Sequence, residues 1–316
     1  MHCTVGRAYP FDVSDVDYID RTVVYVGMFH TVWGHCITDN LKHLWFTLDG
    51  SHHDLCYQDL VYLVMSKSPA DLPDNFWKIL DRLGIEKERM MTVDRVTRFK
   101  SILIPDQCFM LNGELGHRQF TKEYTALIDR LSAGIEPAAY ERLYFTRTAF
   151  RSHKDLGSGE KRMERMLASI GYEIVCPESL ALEEQISLLK GCSIFVSTDG
   201  SASHNAVFLK EDATAVIVRK AGYQNGYQAA INKLKRINVV YIDSHKSVMC
   251  SRRMPWDGPF FVYPNRRFCS YFGIRYMGFP FASFVVYLLN GAWRLGKRTM
   301  KRVLKGILVA LRFRRA

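Results

Sequence analysis

The segment CSIFVSTDGSASHNAVFLK, residues 192–210, changes from a strand pattern to a helix pattern across a turn of small residues. Residues 192–198 are mostly apolar or β-branched, which predicts a buried strand, and residues 203–210 predict a helix. The small side chains of residues 200–203 leave backbone amides accessible where that helix begins. Such a turn can bind a phosphate, expose a nucleophile or only redirect the chain, so the surrounding sequence has to distinguish these interpretations.

The same alternation of strands and helices continues on both sides of this segment. Apolar runs predict strands at residues 142–147, 172–177, 192–198, 213–218 and 238–243. Amphipathic runs between them predict helices at residues 160–171, 180–191, 203–210 and 226–236. Regular alternation with short connections predicts a parallel sheet with right-handed crossovers, which is a Rossmann-like domain.

The first half of the chain is less regular but also predicts an α/β domain. Strands are predicted at 21–27 and 60–66, and helices at 34–48, 73–84 and 119–134. We therefore predict an α/β domain over residues 1–137, a Rossmann-like domain over 138–250 and a return segment over 251–277. If the two domains face each other, a ligand is expected in the cleft, at the carboxyl ends of the strands.

Charge is distributed unevenly along the chain. The formal net charge is +11, yet residues 258–316 contain twelve basic residues and no acidic residue. Residues 1–257 therefore carry 43 − 12 = 31 basic against 32 acidic residues and are close to neutral. The body of the protein is not a nucleic-acid binder by charge, and the basic C-terminal segment is the part expected to seek an anionic partner.

This C-terminal segment, residues 278–316, predicts attachment to a membrane surface. Residues 278–293 are apolar but shorter than the roughly 20 residues of a spanning helix, and Pro280 and Asn290 interrupt them. A base-rich amphipathic helix follows, which is typical of a helix that lies in the plane of an anionic membrane. A spanning or re-entrant hairpin, or a helix that packs against a protein or RNA, are the alternatives.

The cysteines and the N-terminal sequence indicate the cellular compartment in which we expect the protein. The eight cysteines form no C-x-x-C pair and no cluster with histidine at zinc spacing. Several lie in apolar runs, where cysteine behaves as a small hydrophobic residue, so reduced thiols in a cytosolic compartment are expected. No basic-then-apolar signal segment begins the sequence. We expect a peripheral protein on the cytoplasmic side of a membrane.

The turn at residues 199–203 is a candidate phosphate site. The segment lacks the nucleophile motif of the serine hydrolases, because neither Ser201 nor Ser203 lies in a G-x-S-x-G motif. No G-K-[ST] sequence follows, so the turn is not a P-loop. Amides at the start of the helix can bind a phosphate, although an ordinary turn with a serine cap has the same sequence.

Two further groups carry possible chemistry. Arg147, Arg151 and Lys154 follow the strand 142–147, on the same side of the sheet as Ser201, and could clamp a diphosphate; a solvated loop is the alternative.

His35 and Asp39 are four residues apart on a predicted helix, where the carboxylate would orient the imidazole as a general base. A surface or interdomain pair is the alternative there, and no third histidine or carboxylate completes a metal set, so no metal is predicted.

These pieces, in this order, resemble glycosyltransferase family 61, which includes bacterial capsular polysaccharide biosynthesis proteins. The resemblance covers roughly residues 23–243. It is carried by Gly34-His35, Arg147, Glu160, Pro177-Glu178, Glu184-Gln185-Ile186 and Gly200-Ser201-Ala202-Ser203-His204-Asn205. One departure is Asp199, because many members of the family have histidine before the glycine of this turn. A carboxylate near a diphosphate is unfavourable unless it points away or bonds a ribose or sugar hydroxyl.

The resemblance implies a GT-B-like fold, in which two Rossmann-like domains face a cleft, and inverting sugar transfer without a metal or other cofactor. The donor would be a nucleotide-sugar, with a UDP-sugar favoured, and the acceptor a glycan or lipid-linked glycan of capsule or lipopolysaccharide synthesis. The implied catalytic residues are His35 and Asp39. The implied donor-binding residues are Arg147, Arg151, Lys154, Glu184, Gln185, Asp199, Gly200, Ser201, Ser203 and Asn205.

Two alternatives belong to other functional classes. A catalytically silent protein could use the same fold to hold a glycan or nucleotide at a membrane, and Asp199 keeps this alternative open. A nucleic-acid binder is disfavoured, because the basic residues of the C-terminal helix are accompanied by a large apolar face and few aromatic residues.

Overall fold

The computed structural model describes residues 16–48, 59–64, 69–93, 95–109, 118–149, 159–250 and 258–313. The chain divides into two compact units, Met1–Ala133 and Gly134–Ala316. The sequence placed this division after residue 137. The expected return segment, 251–277, and the expected C-terminal segment, 278–316, both belong to the second unit.

The first unit contains a parallel sheet. Its strands are β1 (Asp17–Phe29), β2 (Asp59–Val64), β3 (Met90–Thr92) and β4 (Thr97–Leu103), in the order β3-β2-β1-β4. β1 is central, and its valines Val23, Val24 and Val26 are fully buried, as expected for a strand covered on both faces. The strands predicted at 21–27 and 60–66 are therefore confirmed, and β1 extends beyond the prediction at both ends.

Three α-helices lie in the described part of the first unit: α1 (Trp33–Ile37), α2 (Asp74–Arg82) and α3 (Arg118–Ser132). Phe76, Ile79 and Leu80 form the buried side of α2, and the ring of Phe76 contacts that of Phe29 on β1. The apolar spacing that predicted helices at 73–84 and 119–134 thus reflects the face that packs in the core.

The helix predicted over residues 34–48 is wrong. Only α1 is α-helical, and a short 3-10 helix follows at Leu44–Thr47. Asn40 ends the regular structure, because its side chain exchanges two hydrogen bonds with the backbone of His30, of 2.8 and 3.0 Å. His43 is consequently buried against the sheet, where its Nδ1 lies 2.8 Å from the carbonyl oxygen of Pro105, instead of on an outer helical face.

The second unit contains a longer parallel sheet. Its strands are β5 (Arg142–Phe145), β6 (Glu173–Val175), β7 (Ile194–Thr198), β8 (Thr214–Arg219) and β9 (Asn238–Asp243), in the order β6-β5-β7-β8-β9. Val196 and Val216 lie side by side in this sheet and are fully buried. All five predicted strands of this half are present.

Helices α4 (Glu160–Ala168), α5 (Leu182–Gly191) and α6 (Gly226–Lys235) alternate with these strands. Their buried residues, among them Met163, Ile186 and Ile231, cover the sheet. The predicted α/β class with a parallel sheet in each half is confirmed, as a GT-B-like fold requires.

The α-helix predicted at residues 203–210 is a six-residue 3-10 helix, Ser203–Phe208. Its start is tightened by side chains, because Ser203 Oγ donates to the Gly200 carbonyl over 2.8 Å and accepts from the Gly200 amide over 3.1 Å. Asn205 Nδ2 likewise donates to the Ala202 carbonyl over 3.0 Å. Local side-chain bonds of this kind compete with α-helical ones, and they make the turn compact.

The chain ends in two helices, α7 (Arg266–Tyr271) and α8 (Phe281–Phe313). The sequence missed α7, which is short and capped by Asn265, whose Oδ1 accepts from the Phe268 amide over 3.0 Å. Pro280 precedes α8, but Asn290 lies inside it, so the predicted interruption at Asn290 is wrong. Within the part of the chain that the structure describes, no helix has the length and apolar content needed to cross a bilayer.

Candidate functional site

The strand order of the second sheet defines where a ligand would be held. From β5 the chain continues to β6 on one side of it, and β7 pairs with β5 on the other side. In open parallel sheets such a reversal creates a crevice at the carboxyl ends of the strands. Three charged residues follow the ends of three strands: Arg147 after β5, Asp199 after β7 and Lys220 after β8. Gly200 comes directly after Asp199.

Two cations converge on Gly200. Gly200 has a φ of +135°, a backbone conformation that residues other than glycine rarely adopt. A β-carbon built at this position would lie 3.0 Å from Lys220 Nζ and 3.9 Å from Arg147 Nη1. Lys220 is itself 6% exposed, and its ammonium lies 4.5 Å above the ring of Phe260. We call Arg147 and Lys220 the cation pair; together they form a compact positive region in which an anion can displace water.

Arg147 and Gly200 were predicted from the sequence as site residues, whereas Lys220 was not. A signal was present, because Lys220 directly follows the buried strand β8, just as Asp199 directly follows β7. The rule that placed Arg147 at the ligand end of the sheet therefore applies to Lys220 as well.

The turn after β7 offers backbone amides to a possible ligand, but it does not offer the free N-terminus of an α-helix. The amides of Gly200 and Ser203 are used inside the turn, the first by Ser203 Oγ and the second by the Gly200 carbonyl. Among the described residues, the amides of Ser201 and Ala202 have no protein acceptor. Ser203 and Asn205 are fully buried, so these two predicted donor ligands shape the turn, whereas Ser201 is partly exposed.

Asp199 is 2% exposed, and its electrostatic partners are Lys220 and Arg219. Burial raises the pKa of its carboxyl group above the ordinary value, while the two cations oppose that shift. Its amide donates to the Val218 carbonyl over 2.9 Å, which continues the β7–β8 ladder. The carboxyl group of Asp199 is therefore buried near two cations that oppose the effect of burial without outweighing it.

Arg147 is held by a buried carboxylate. Glu160 Oε1 accepts a hydrogen bond from the Arg147 amide over 3.1 Å and another from the Tyr144 hydroxyl over 3.0 Å. Glu160 is 5% exposed and begins α4, so the acidic residue that was part of the family pattern fixes the end of β5. Burial raises the pKa of the Glu178 carboxyl group, and the guanidinium of Arg147 is among the groups that oppose this shift.

The remaining donor-site predictions divide into two groups. Glu184 and Gln185 lie at the start of α5, where Glu184 Oε2 accepts from the Ala181 amide over 2.9 Å and Gln185 Nε2 donates to the Pro177 carbonyl over 2.9 Å. These bonds fix the connection after β6. Arg151 and Lys154 lie outside the described residues.

The first unit has its own polar group at a comparable place. His30 follows β1, and β1 lies between β2 and β4, which is the reversal point of that sheet. His35 on α1 stacks on His30, with ring centroids 4.5 Å apart, and its Nδ1 lies 2.5 Å from Asp39 Oδ2. The structure thus brings the predicted His35–Asp39 pair together and adds His30 to it.

The contact with Asp39 determines how His35 can act. A carboxylate only accepts hydrogen bonds, so Nδ1 of His35 donates to it and the neutral ring keeps its lone pair on Nε2. The His35 side chain is 31% exposed and that of Asp39 only 14%, so the acceptor nitrogen is on the accessible member of the pair. A partly exposed imidazole that is oriented by a carboxylate is suited to general-base catalysis.

His30 also completes a set of possible metal ligands. One ligand atom from each of His30, His35 and Asp39 lies within 4.8 Å of the others. The sequence analysis did not find a third ligand, because His30 lies at a strand end and shares no periodicity with the other two. Two histidines and one carboxylate are donors suited to a divalent transition metal.

We expect His30 to make the stability of the first unit depend on pH. Burial, and next the neighbouring His35, lower the pKa of His30 from 6.5 to about 4. Between these values the unfolded chain binds the proton more readily, so the free energy of unfolding should decrease as the pH falls through this window, by up to about 1.4 kcal/mol per pH unit. Urea unfolding of wild type and His30→Gln across this range measures the effect. The variant should lose part of the slope, and parallel curves for the two proteins would contradict the assignment.

A parallel α/β unit with polar groups gathered at the carboxyl ends of its strands belongs to the Rossmann-like class of ligand-binding folds. The sequence model of glycosyltransferase family 61 matches residues 33–217, more than half of the chain. The chain therefore belongs to glycosyltransferase family 61 and is a glycosyltransferase, as predicted. This membership implies a nucleotide-sugar donor and a glycan acceptor. Lys220 lies just beyond the matched residues.

Solved structures of glycosyltransferases are among those similar to this chain. One is the dodecameric iron-containing heptosyltransferase TibC in complex with ADP-D-beta-D-heptose, with 16% identity, 92% of this chain and 78% of that chain covered, and a TM-score of 0.33. The other is the dodecameric iron-containing glycosyltransferase TibC from enterotoxigenic E. coli H10407, with 15% identity, 68% and 66% covered, and a TM-score of 0.31. No curated protein matches the sequence.

Proposed function

We propose that this protein is an inverting, metal-independent glycosyltransferase that uses a nucleotide-sugar, with a UDP-sugar favoured, in the synthesis of a cell-surface polysaccharide such as capsule or lipopolysaccharide. The observation that carries the proposal is the convergence of Arg147 and Lys220 on Gly200. Two cations at the reversal point of a parallel sheet match the charge of a diphosphate.

In the proposed donor complex the cation pair binds the diphosphate, and the amides of Ser201 and Ala202 donate to its oxygens. Negative charge develops on the departing nucleoside diphosphate when the bond to the sugar breaks. Preorganised cations stabilise that charge in the transition state, as a divalent metal does in other transferases. Because Asp199 is buried, we assign it the role of orienting Lys220 rather than contacting the donor.

His35 is the proposed general base. Its Nε2 accepts the proton of an acceptor hydroxyl, and the oxygen forms a bond to the anomeric carbon. On the opposite face of the sugar the bond to the diphosphate breaks, and its electron pair leaves with the nucleotide. A single in-line displacement inverts the anomeric carbon. Asp39 stabilises the imidazolium that forms, as a carboxylate does for any catalytic histidine that it orients.

We further propose that the protein works at the cytoplasmic side of a membrane as a peripheral protein with a lipid-linked glycan as acceptor. This rests on the concentration of basic residues, with no acidic residue, in 258–316. A polybasic segment is attracted to anionic lipids and would keep the enzyme close to a substrate that cannot leave the bilayer.

A thermal-shift comparison of nucleotides tests the donor site. At a concentration about 100-fold above its dissociation constant, a ligand of the native state adds about 2.7 kcal/mol of stability. We expect UDP and UDP-sugars to raise the melting temperature by roughly 4–10 °C, and uridine, which lacks phosphates, to leave it unchanged. The shift should persist in EDTA. ADP-heptose belongs in the panel because it is the ligand named for TibC. No shift with any nucleoside diphosphate would contradict the proposal.

A further inference from the structure

Helix α8 presents apolar side chains to solvent over its first half. Phe281, Val285, Leu289 and Trp293 recur every four residues and so lie on one face, where they are 72%, 49%, 66% and 62% exposed. Val286, 52% exposed, lies beside them. We call these five residues the outer face of α8.

The opposite side of the same helix is fixed to the second unit. Tyr287 is fully buried; its hydroxyl donates to the Pro259 carbonyl over 3.2 Å and accepts from the Met249 amide over 2.9 Å. Phe284 packs on Phe261, with ring centroids 5.1 Å apart. A β-carbon at Gly291 would lie only 3.0 Å from Met249 Cγ, so the helix lies against the unit there. These contacts determine which side of α8 faces outward.

A helix on the surface of a soluble protein normally has an apolar inner side and a polar outer side. The first half of α8 is apolar on both sides, and its exposed polar residues, Asn290 and Lys297, lie at the margin of the outer face. Contiguous exposed apolar surface of this kind marks a site of interaction with a protein or a membrane.

Charge favours the membrane. The outer face belongs to a segment, 258–316, with twelve basic residues and no acidic one. Anionic lipids complement both properties, since they offer acyl chains to the apolar side chains and headgroups to the cations. A second copy of the chain would bring another set of cations and no acidic residue from this segment to pair with them.

We propose that the outer face of α8 inserts into the interface of an anionic membrane, with the helix axis parallel to the surface. This rests on the proposed membrane attachment and assigns the contact to Phe281–Trp293, the half of the helix that is docked on the second unit. Trp293 and Lys297 mark the headgroup level, because the Lys297 ammonium lies 3.7 Å from the centroid of the Trp293 ring. The enzyme would thereby meet the membrane with a fixed side of its second unit.

Flotation of the full-length protein with vesicles tests this contact. We expect wild type to bind phosphatidylcholine vesicles that contain phosphatidylserine, and to bind pure phosphatidylcholine vesicles much less. Leu289→Glu should weaken binding to the anionic vesicles roughly 100-fold, because it removes a leucine that would be buried in the membrane and adds a charge to the apolar face. Asn290→Glu adds the same charge one residue away, at the margin of the outer face instead of its centre, and should weaken binding only about 5-fold.

Leu289 is exposed, so its replacement should leave the fold intact, and thermal melts of each variant verify this. Leu289→Gln separates loss of apolar contact from added charge, and it should retain most of the defect. Equal binding by the two glutamate variants, or no binding of wild type to anionic vesicles, would overturn the proposal. So would a change of oligomeric state in Leu289→Glu with unchanged flotation, which would assign the outer face to a second copy. Nucleotide binding is measured without vesicles, so its loss would instead contradict the proposed donor site.

Discussion

Replacing His35 by Gln should lower the rate of sugar transfer by about 10²–10⁴, the range that a positioned general base contributes. Glutamine keeps a polar side chain of similar reach but cannot accept a proton at neutral pH. Nucleotide affinity should be unchanged, because the cation pair lies in the second unit. Single-turnover kinetics with saturating donor, together with calorimetric binding of UDP, measure the two quantities separately.

Asp39→Asn is the companion variant to His35→Gln. An asparagine at this position can donate to Nδ1 of His35, which favours the tautomer with the proton on Nε2 and removes the lone pair from the accessible nitrogen. Transfer should fall at least about 10²-fold although the imidazole is still present. If both variants retain normal turnover, the base lies elsewhere and the pair is structural.

The second large effect is expected at Lys220. Lys220→Met keeps most of the side-chain volume and its contact with Phe260 but removes the ammonium next to Gly200. A hydrogen bond to a charged group contributes about 1.5–3 kcal/mol, so UDP should bind roughly 10–100-fold more weakly. Isothermal calorimetry at constant ionic strength provides the measurement, because exposed and half-exposed charges respond to salt.

Lys210→Met is the matched control for Lys220→Met. Lys210 is exposed and precedes β8, at the amino end of the strand that Lys220 follows, and its Nζ donates to the Gly191 carbonyl over 3.2 Å. The two variants change the net charge equally, so a specific diphosphate site requires normal UDP affinity in Lys210→Met. Loss of affinity in both would indicate a diffuse electrostatic effect. Urea unfolding of Lys220→Met also shows whether Asp199, deprived of one cation, destabilises the fold.

The second sheet could be predicted from sequence because its strands are fully buried. A strand covered on both faces is a continuous apolar run, such as residues 213–218, and it contrasts sharply with the amphipathic helices on either side. Elements with local hydrogen-bonding side chains were predicted less well. Asn40 interrupts the helix expected over 34–48, and Ser203 and Asn205 convert the helix after β7 into a short 3-10 helix. Apolar spacing carries no information on such bonds.

The residues of the candidate site were likewise predicted only in part. Arg147 and Gly200 could be located because the ends of parallel strands meet on one side of a sheet. Lys220 follows β8, so the same rule applies to it, although no spacing to another polar residue drew attention to it. His30 follows β1 without a companion residue at a recognisable spacing, and only the structure shows that it joins His35 and Asp39. Gln185 shows that a residue of the family pattern can also have a structural role. It belongs to the family pattern, yet its amide nitrogen bonds the Pro177 carbonyl and thus supports the fold.

The exposed side of α8 could not be predicted from sequence. The spacing of its apolar residues indicates two apolar faces but does not show which of them packs against the rest of the second unit. Tyr287 resolves this, since its buried hydroxyl is bound to the Pro259 carbonyl and the Met249 amide. Those two residues are far from Tyr287 in sequence, and no local pattern connects them.

The six-residue 3-10 helix after β7 has a consequence for how this enzyme could change its specificity. A long α-helix pointing at a ligand fixes the position of the anion through the backbone, which no substitution can alter without rebuilding the loop. In the proposed donor site the positive charge comes from two long side chains, Arg147 and Lys220, which follow separate strands and have rotatable bonds. Different leaving groups could therefore be accommodated by rotamer changes or by single substitutions, on a scaffold whose main chain stays as it is.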